Sequence, residues 1–341
     1  MFRRFAGKHL FLWLVVAVLL PVVGTAGDAY VADFLDIPVD ARSLAFGLNQ
    51  TTLSRQPSGI LGNPANVVWP GERQIEIAYG SLYGGLNSGL GQHQGVFLRV
   101  PLRGSAGFAL AFVRLAVDDI PRYGDLGASS FAERLVGTSG RPRGSPLGYF
   151  SDSEVAFFAA FGRGFPVRIG MNWFVEKIDL FPYVGVDFKV LHQILDRFSA
   201  RGAGFDIGAG LRVDLRQFSD AVWLGTLNVA WTGRDVGNTV LTWNNRVRES
   251  RPHSNSWGFA YQLELARHVE LGTFWQTEAR RGSGFATGLE ACYRGTRLMV
   301  GLRDKRPGFS LGLTWRRWGL SYGFRSMPLG ETHRIDAIWS F

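Results

Sequence analysis

Apolar and polar side chains alternate with a period of two along most of this chain, from about residue 73 to its last residue. Side chains on a β-strand point to opposite faces in turn, so each alternating segment predicts a strand with one apolar face and one face of glycine, small and charged residues. The clearest examples lie at residues 205–214, 257–266, 309–316 and 318–325. The pattern predicts an all-β protein.

Two architectures fit such strands. In a soluble sandwich the apolar faces meet in a core, whereas in a transmembrane β-barrel they face lipid. The mean hydropathy of +0.03 fits both. Beyond the N-terminus, no apolar run reaches the roughly 18 residues that a membrane helix needs. The strand pattern does not distinguish a soluble sandwich from a transmembrane barrel, so the two ends of the chain have to distinguish them.

The N-terminus has the three-part form of a secretory signal peptide. The first eight residues include three basic side chains, residues 10–20 are apolar, and residues 24–26 are small. This order is typical of a leader that is cleaved on export. We expect a signal peptide over residues 1–26.

The C-terminus is an alternating strand that ends in an aromatic residue. Ile335, Ala337, Trp339 and Phe341 share one phase. Such an ending resembles the signal that the barrel assembly machinery reads, and we take these four residues as a candidate assembly signal. Together with the leader, it predicts a transmembrane antiparallel β-barrel over residues 73–341, embedded in the outer-membrane lipid of a Gram-negative-type bacterium.

The strand count has one ambiguous place. Fifteen segments alternate well enough to be strands, whereas bacterial single-chain barrels have an even number. Short turns and long loops alternate when counted from either end, but the two counts meet out of phase across residues 164–197. Either 166–178 or 183–197 is therefore not a full wall strand, and we predict about 14 strands. The long loops should face outward and the short turns the periplasm.

Residues 27–72 differ from the rest of the chain. They alternate poorly and contain four prolines, which cannot donate to a strand ladder. Since they precede the first wall strand, we predict that they form a plug inside the barrel lumen.

This N-terminal segment also carries a family resemblance. It resembles the signature of the PorV/PorQ family of outer-membrane barrels, which is similar in fold to the FadL-type barrels. Gly62 stands where the family has an aromatic residue, and its Asp-Asp pair near residues 55–56 is missing. The end of the chain, residues 320–335, is also similar to the family's ending. The matching plug-signature residues are Ala41, Arg42, Gly47, Asn63, Pro64 and Ala65.

The resemblance implies a fourteen-stranded barrel with a lumenal N-terminal segment. Members of the family serve type IX secretion as partners of exported proteins. We therefore expect a non-enzymatic partner in protein export or surface attachment. The alternative is a FadL-like transporter of hydrophobic small molecules, so the expected partner is either an exported protein or a hydrophobic ligand.

Charged residues on the polar phase of the strands are candidates for the lumen face. One interpretation is a binding or conducting interior; the other is a structural lining of ion pairs that fills the barrel and holds the plug. The candidates are Asp206, Arg212, Asp214, Glu290, Arg294 and Arg316.

Patterns typical of a hydrolase, a metal site or a nucleic-acid surface are present only in part. Ser310 lies in a G-x-S-x-G pattern, but within an alternating strand and not at a strand-turn-helix elbow. The six histidines lack metal-ligand spacing. The net charge of +9 could suit nucleic acid, but the basic residues form no block or stripe. We expect no cofactor, no metal site and no nucleic-acid partner. Cys292 is the single cysteine, so no intramolecular disulfide can form.

Overall fold

The computed structural model describes most of the chain beyond residue 30. The predicted signal peptide lies outside the described residues. These comprise residues 31–52, 54–85, 89–123, 146–170, 177–219, 221, 223–266, 268–279 and 283–341.

One antiparallel sheet of seventeen strands dominates the described residues. Its strands are β1 (Gln74–Leu82), β2 (Gly91–Leu102), β3 (Ala106–Arg122), β4 (Gly148–Gly164), β5 (Val167–Ile169), β6 (Ile178–Leu195), β7 (Phe198–Asp214), β8 (Thr226–Arg234), β9 (Thr239–Trp243), β10 (Arg248–Arg251), β11 (Ser254–Ala266), β12 (Val269–Ala279), β13 (Ser283–Tyr293), β14 (Thr296–Arg303), β15 (Arg306–Trp315), β16 (Trp318–Met327) and β17 (Gly330–Ser340).

The sheet closes on itself. The first strand pairs with the last in an antiparallel ladder that runs from Gln74 opposite Ser340 to Ser81 opposite His333. Three short strands, β5, β9 and β10, extend the sheet at its ends, and the other fourteen form a closed wall. The predicted fourteen-stranded antiparallel β-barrel is confirmed.

The ambiguous region resolves at β5. This three-residue strand pairs with the start of β6, within the connection that follows β4. The connection lies at the end of the barrel that carries the short turns, here called the periplasmic end according to the rule for such barrels, and the opposite end is called extracellular. Pro166 stands just before it and lacks the N–H that a ladder needs. Of the two candidate segments, 183–197 therefore belongs to a full wall strand and 166–178 does not.

The two faces of the wall differ as the alternation predicts. Phe259 is 43% exposed on the outside, while the next residue, Ala260, is fully buried. Leu289 and Leu313 are likewise outward, at 67% and 53% exposure. A closed sheet with an apolar exterior satisfies every backbone group internally and presents lipid-compatible side chains, as a bilayer requires. Within the described residues, no helix is both long and apolar enough to cross a membrane.

The N-terminal segment lies inside the barrel, so the predicted lumenal plug is confirmed. Nearly every residue from 31 to 69 is buried. Asp40 caps α1 by accepting from the Ser43 N–H, and Gly47 ends it with a left-handed φ of 95°. The plug contains α1 (Ala41–Phe46) and three short 3₁₀-helices, Asp33–Asp36, Pro57–Leu61 and Pro64–Val68.

Wall glycines allow the plug to lie directly against the sheet. A Cβ on Gly323 would come within 2.5 Å of the Ala41 carbonyl oxygen, and one on Gly185 within 2.5 Å of the Ala65 Cα. Real Cβ atoms do not come this close to other atoms, so only glycine, which has no side chain, fits at these positions. The plug backbone therefore sets where glycine stands on the inner face.

Candidate functional site in the lumen

The barrel interior has an apolar side and a charged side. On the apolar side, the plug packs against β2, β3, β4 and β6 in one continuous cluster of buried residues, here called the apolar sector. It reaches from Leu82 and Leu115, near the extracellular ends of their strands, to Val68 at the periplasmic end. Its main members are Val31, Phe34, Leu35, Ile60, Val67 and Val68 from the plug, and Phe97, Ala109, Ala111, Val113, Ala156, Phe158, Ala160 and Leu191 from the wall.

On the charged side, the plug helix is held by ion pairs and hydrogen bonds. Arg42 forms an ion pair with Glu290 of β13 and lies over the ring of Phe274, 4.9 Å from its centroid. The backbone N–H of Ala41 donates to the Asp336 carboxylate at 2.7 Å. Arg42 and Glu290, predicted separately from the sequence, are thus partners across the plug–wall boundary.

A second charged network lies toward the extracellular end. Asp206 accepts from the ammonium of Lys189 and, at 2.7 Å, from the backbone N–H of Asp235. Lys189 also pairs with Asp235 at 2.8 Å. Arg251 adds ion pairs with Asp235 and Asp36, both at 2.8 Å. Burial opposes the charged form of Arg251, but the carboxylates of Asp36 and Asp235 outweigh it and raise the pKa of Arg251.

The periplasmic mouth contains a pocket at the lower end of the apolar sector. It has a volume of about 360 Å³ and is lined mainly by apolar side chains, among them Val68, Trp69, Leu102 and Phe181. Arg212 is the charged residue in its lining, and its guanidinium lies 4.6 Å from the centre of a Trp69 ring. The contact fixes the end of the plug beside the pocket.

Asp214 belongs to the periplasmic rim and not to the lumen. Its side chain is 46% exposed and pairs with Arg216 at 2.8 Å. Arg216 also donates to Glu264 at 2.9 Å. The hydrogen bonds to Asp214 and Glu264 raise the pKa of Arg216. The carboxylates of Asp214 and Glu264 thus both pair with Arg216. Among the described residues, no carboxylate forms an ion pair with Arg212.

Arg294 and Arg316 do not line the lumen, so the sequence prediction is wrong for both. Each follows the last residue of a strand and has a left-handed φ, 49° and 54° respectively. Their guanidinium groups lie over the neighbouring rings of Tyr293 and Trp315, at 5.2 and 4.9 Å. The strands end one residue earlier than the alternation suggests, and the turn carries both side chains onto the exposed rim.

The second half of the plug signature shapes a turn in the middle of the lumen. The Asn63 side chain accepts from the Ala65 N–H at 2.9 Å and donates to the Thr51 carbonyl at 3.0 Å. Pro64 begins the 3₁₀-helix that leads down to Trp69. This helix, and not the turn itself, brings the plug to the periplasmic mouth, where Trp69 lies.

Three of the four C-terminal candidate residues lie on the lipid side of β17, and Phe341 directly follows the strand. Ile335, Trp339 and Phe341 are each 38–39% exposed, and Ala337 is half-buried between them. Trp339 stacks on both Trp318 and Phe341. This aromatic group lies at the periplasmic end, where interfacial aromatics are expected in barrels.

The sequence pattern does not mark several residues of the interior as candidates. Lys189 has a sequence signal, because it is one of four lysines and shares a strand phase with Asp187. Asp235 and Arg251 lie at the base of an extracellular hairpin, so no strand pattern marks them. Trp69 precedes the barrel and becomes part of the site only because the plug folds inside.

The G-x-S-x-G pattern at Ser310 and the possible metal ligands remain to be placed in the structure. Ser310 is buried within β15, opposite Gly323 of β16, in a regular ladder. Within the described residues, no three metal-ligating side chains come together.

The fold and the interior define an outer-membrane β-barrel with a lumenal plug. Among solved structures, the chain is similar to the toluene transporter TodX of Pseudomonas putida, with 10% identity, 89% of this chain and 97% of that chain covered, and a TM-score of 0.47. It is also similar to the toluene transporter TbuX of Ralstonia pickettii, with 12% identity, 90% and 99% covered, and a TM-score of 0.49.

A FadL homologue of Pseudomonas aeruginosa matches at 10% identity, with 89% of this chain and 99% of that chain covered and a TM-score of 0.45. At TM-scores below 0.5, these likenesses do not decide what this chain binds or carries. No protein-family model matches the chain, and no curated protein matches it in sequence.

Proposed function

We propose that this protein transports small hydrophobic molecules across the outer membrane, along the boundary between plug and wall within the apolar sector. The observation that supports it is the continuity of that sector, which joins the extracellular end of the wall to the pocket at Trp69 and Phe181. An apolar molecule on this path meets mainly apolar side chains, with Arg212 as the charged residue at the pocket end, so its passage requires little desolvation of buried charge.

The composition of the sector suits a path that opens when the plug shifts. Its wall contains alanines at positions 109, 111, 156 and 160, each at most 5% exposed. Small side chains leave the most space when the facing plug residues move away. The charged side offers no such path, because the ion pair of Arg42 with Glu290 and the hydrogen bond from Ala41 to Asp336 hold the plug against the wall there.

A pair of adjacent substitutions tests the transport proposal. Ala160→Phe fills the sector from the inside, whereas Ala159→Phe adds the same ring on the exposed lipid face. Cells that express each variant are exposed to the hydrophobic dye 1-N-phenylnaphthylamine, and its entry is followed by fluorescence per amount of folded barrel. Ala160→Phe should reduce entry to the level of cells without the protein, and Ala159→Phe should not. Equal entry in both variants would contradict the proposal.

A second function is supported by the resemblance of both chain ends to the PorV/PorQ family. A barrel whose lumen is filled by a plug also suits a role carried out at its rims, as a partner of exported proteins. Comparing the secreted proteins of cells with and without the gene tests this role. Loss of a set of exported proteins, with unchanged dye entry, would favour export over transport.

A further inference from the structure

An extracellular hairpin lies over the beginning of the plug. Strand β9 pairs with the outer end of β7, from Ala200 opposite Trp243 to Ala203 opposite Val240. Strand β10 pairs with β9 and completes the hairpin. Residues 239–251, here called the extracellular hairpin, thus stand on the rim just beyond the end of β8.

Arg251 connects this hairpin to the plug. Its side chain is 1% exposed. The guanidinium donates to the carbonyl oxygens of Val31, at 2.9 Å, and Ala32, and pairs with Asp36 at 2.8 Å. All three acceptors belong to the first described residues of the plug, so one side chain holds the whole segment.

The base of the hairpin is tied to the wall by the same carboxylate that Arg251 uses. Asp235 pairs with Arg251 at 2.8 Å and with Lys189 of β6 at 2.8 Å, and accepts from the Thr239 hydroxyl at 2.8 Å. Leu241 of the hairpin is fully buried in the apolar sector together with Phe34. Polar and apolar contacts therefore both join hairpin and plug.

We propose that the extracellular hairpin is a lid locked onto the plug by Arg251, so that residues 31–36 leave their place only when the hairpin lifts. Moving the plug segment alone would leave a buried guanidinium without three of its four acceptors, which is strongly unfavourable. Lifting the hairpin with it exposes the guanidinium to water instead. The lid belongs to the plug itself, whichever cargo the barrel serves.

Cysteine labelling tests the lock. In a Cys292→Ser background, Val31→Cys places a reporter beneath Arg251, where the side chain is 4% exposed. A membrane-impermeant maleimide is added outside intact cells. Arg251→Met keeps an unbranched apolar stem but removes the guanidinium, and should raise the labelling rate by roughly tenfold or more, because local opening becomes easier.

The matched control is Arg248→Met, three residues earlier on the same strand, whose side chain is exposed. It should label at the parent rate. The proposal is overturned if Arg251→Met labels like the parent, or if Arg248→Met rises equally. Should Arg251→Met fail to give a heat-modifiable barrel, Asp36→Asn decides: a raised rate supports the lock, and an unchanged rate overturns it.

Discussion

Single residues determine how closely the plug and the wall approach. The wall glycines bring the sheet into contact with the plug backbone, and buried arginines then supply hydrogen bonds across the boundary. Arg334 illustrates this second role: it is fully buried and donates to the Pro38 carbonyl at 3.0 Å. Wall positions that touch the plug backbone are therefore glycine, whereas a long side chain such as Arg334 reaches the plug through a hydrogen bond.

Replacing a plug-facing glycine should destabilise the barrel. Gly185→Ala inserts a methyl group into the space of the Ala65 backbone, and overpacking of this kind costs about 1–3 kcal/mol. Gly148→Ala is the matched control, because no heavy atom lies within 4 Å of its added Cβ. The midpoint of thermal unfolding, followed by heat-modifiable gel mobility, should fall for Gly185→Ala only. Equal midpoints would contradict the close contact.

The sequence predicts which face of a strand a side chain occupies better than it predicts which side chain it pairs with. The pattern marks Arg42, Glu290 and Asp206 as candidates, because their charges fall in the plug or on the inner face of a strand. Their pairings depend on where the plug folds back, which no local pattern encodes. Arg294 and Arg316 fail for a different reason, because a one-residue difference in a strand end moves a side chain from lumen to rim.

At the scale of elements, the alternation of turns and loops carries more information than any single strand. It places an irregular region at 164–197 and predicts that one of two segments there is not a full strand, and the three-residue β5 confirms this. The extracellular hairpin was missed, because β9 and β10 have five and four residues. Strands this short do not display a period.

The final strand should be essential for assembly. Phe341 stacks on Trp339 and its N–H donates to the Arg73 carbonyl at 2.9 Å, just beside the seam of β17 and β1. Deleting Phe341 should lower the amount of heat-modifiable barrel in the outer membrane, since an unclosed seam leaves backbone groups unpaired in lipid.

The control for the Phe341 deletion is Leu329→Ser, in an exposed turn where the side chain is 70% exposed. It should assemble like the parent. Normal assembly without Phe341 would show that the terminal residue is not the recognition signal.

Lipid on the outside of the barrel and the plug on its inside impose opposite demands on neighbouring residues of a strand. Leu311→Arg places a charge on the lipid face near the middle of β15, which costs ~2–4 kcal/mol at the bilayer midplane. Thr314→Arg is on the inner phase and should cost much less. Unfolding of both variants in urea from lipid vesicles measures the difference, and equal losses would contradict the assigned faces.

The plug should also determine how well the barrel conducts ions. Deleting residues 31–69 leaves charged inner residues such as Asp206 and Glu290 facing water, so single-channel conductance in planar bilayers should rise. Heat-modifiability confirms that the shortened protein is folded. An unchanged conductance in a folded barrel would mean that the plug does not block the lumen.

The closing register of β1 and β17 has a consequence for the order of events during biogenesis. The plug contacts acidic side chains on both sides of this seam and farther along the wall. The backbone N–H of Ser58 donates to Glu76 of β1, that of Ala41 donates to Asp336 of β17, and Arg42 pairs with Glu290 of β13. A finished cylinder would have to admit these buried charges through a narrow opening. A sheet that is still open can instead wrap around them. We therefore expect the wall strands to assemble around the folded plug, and the pairing of β1 with β17 to form last.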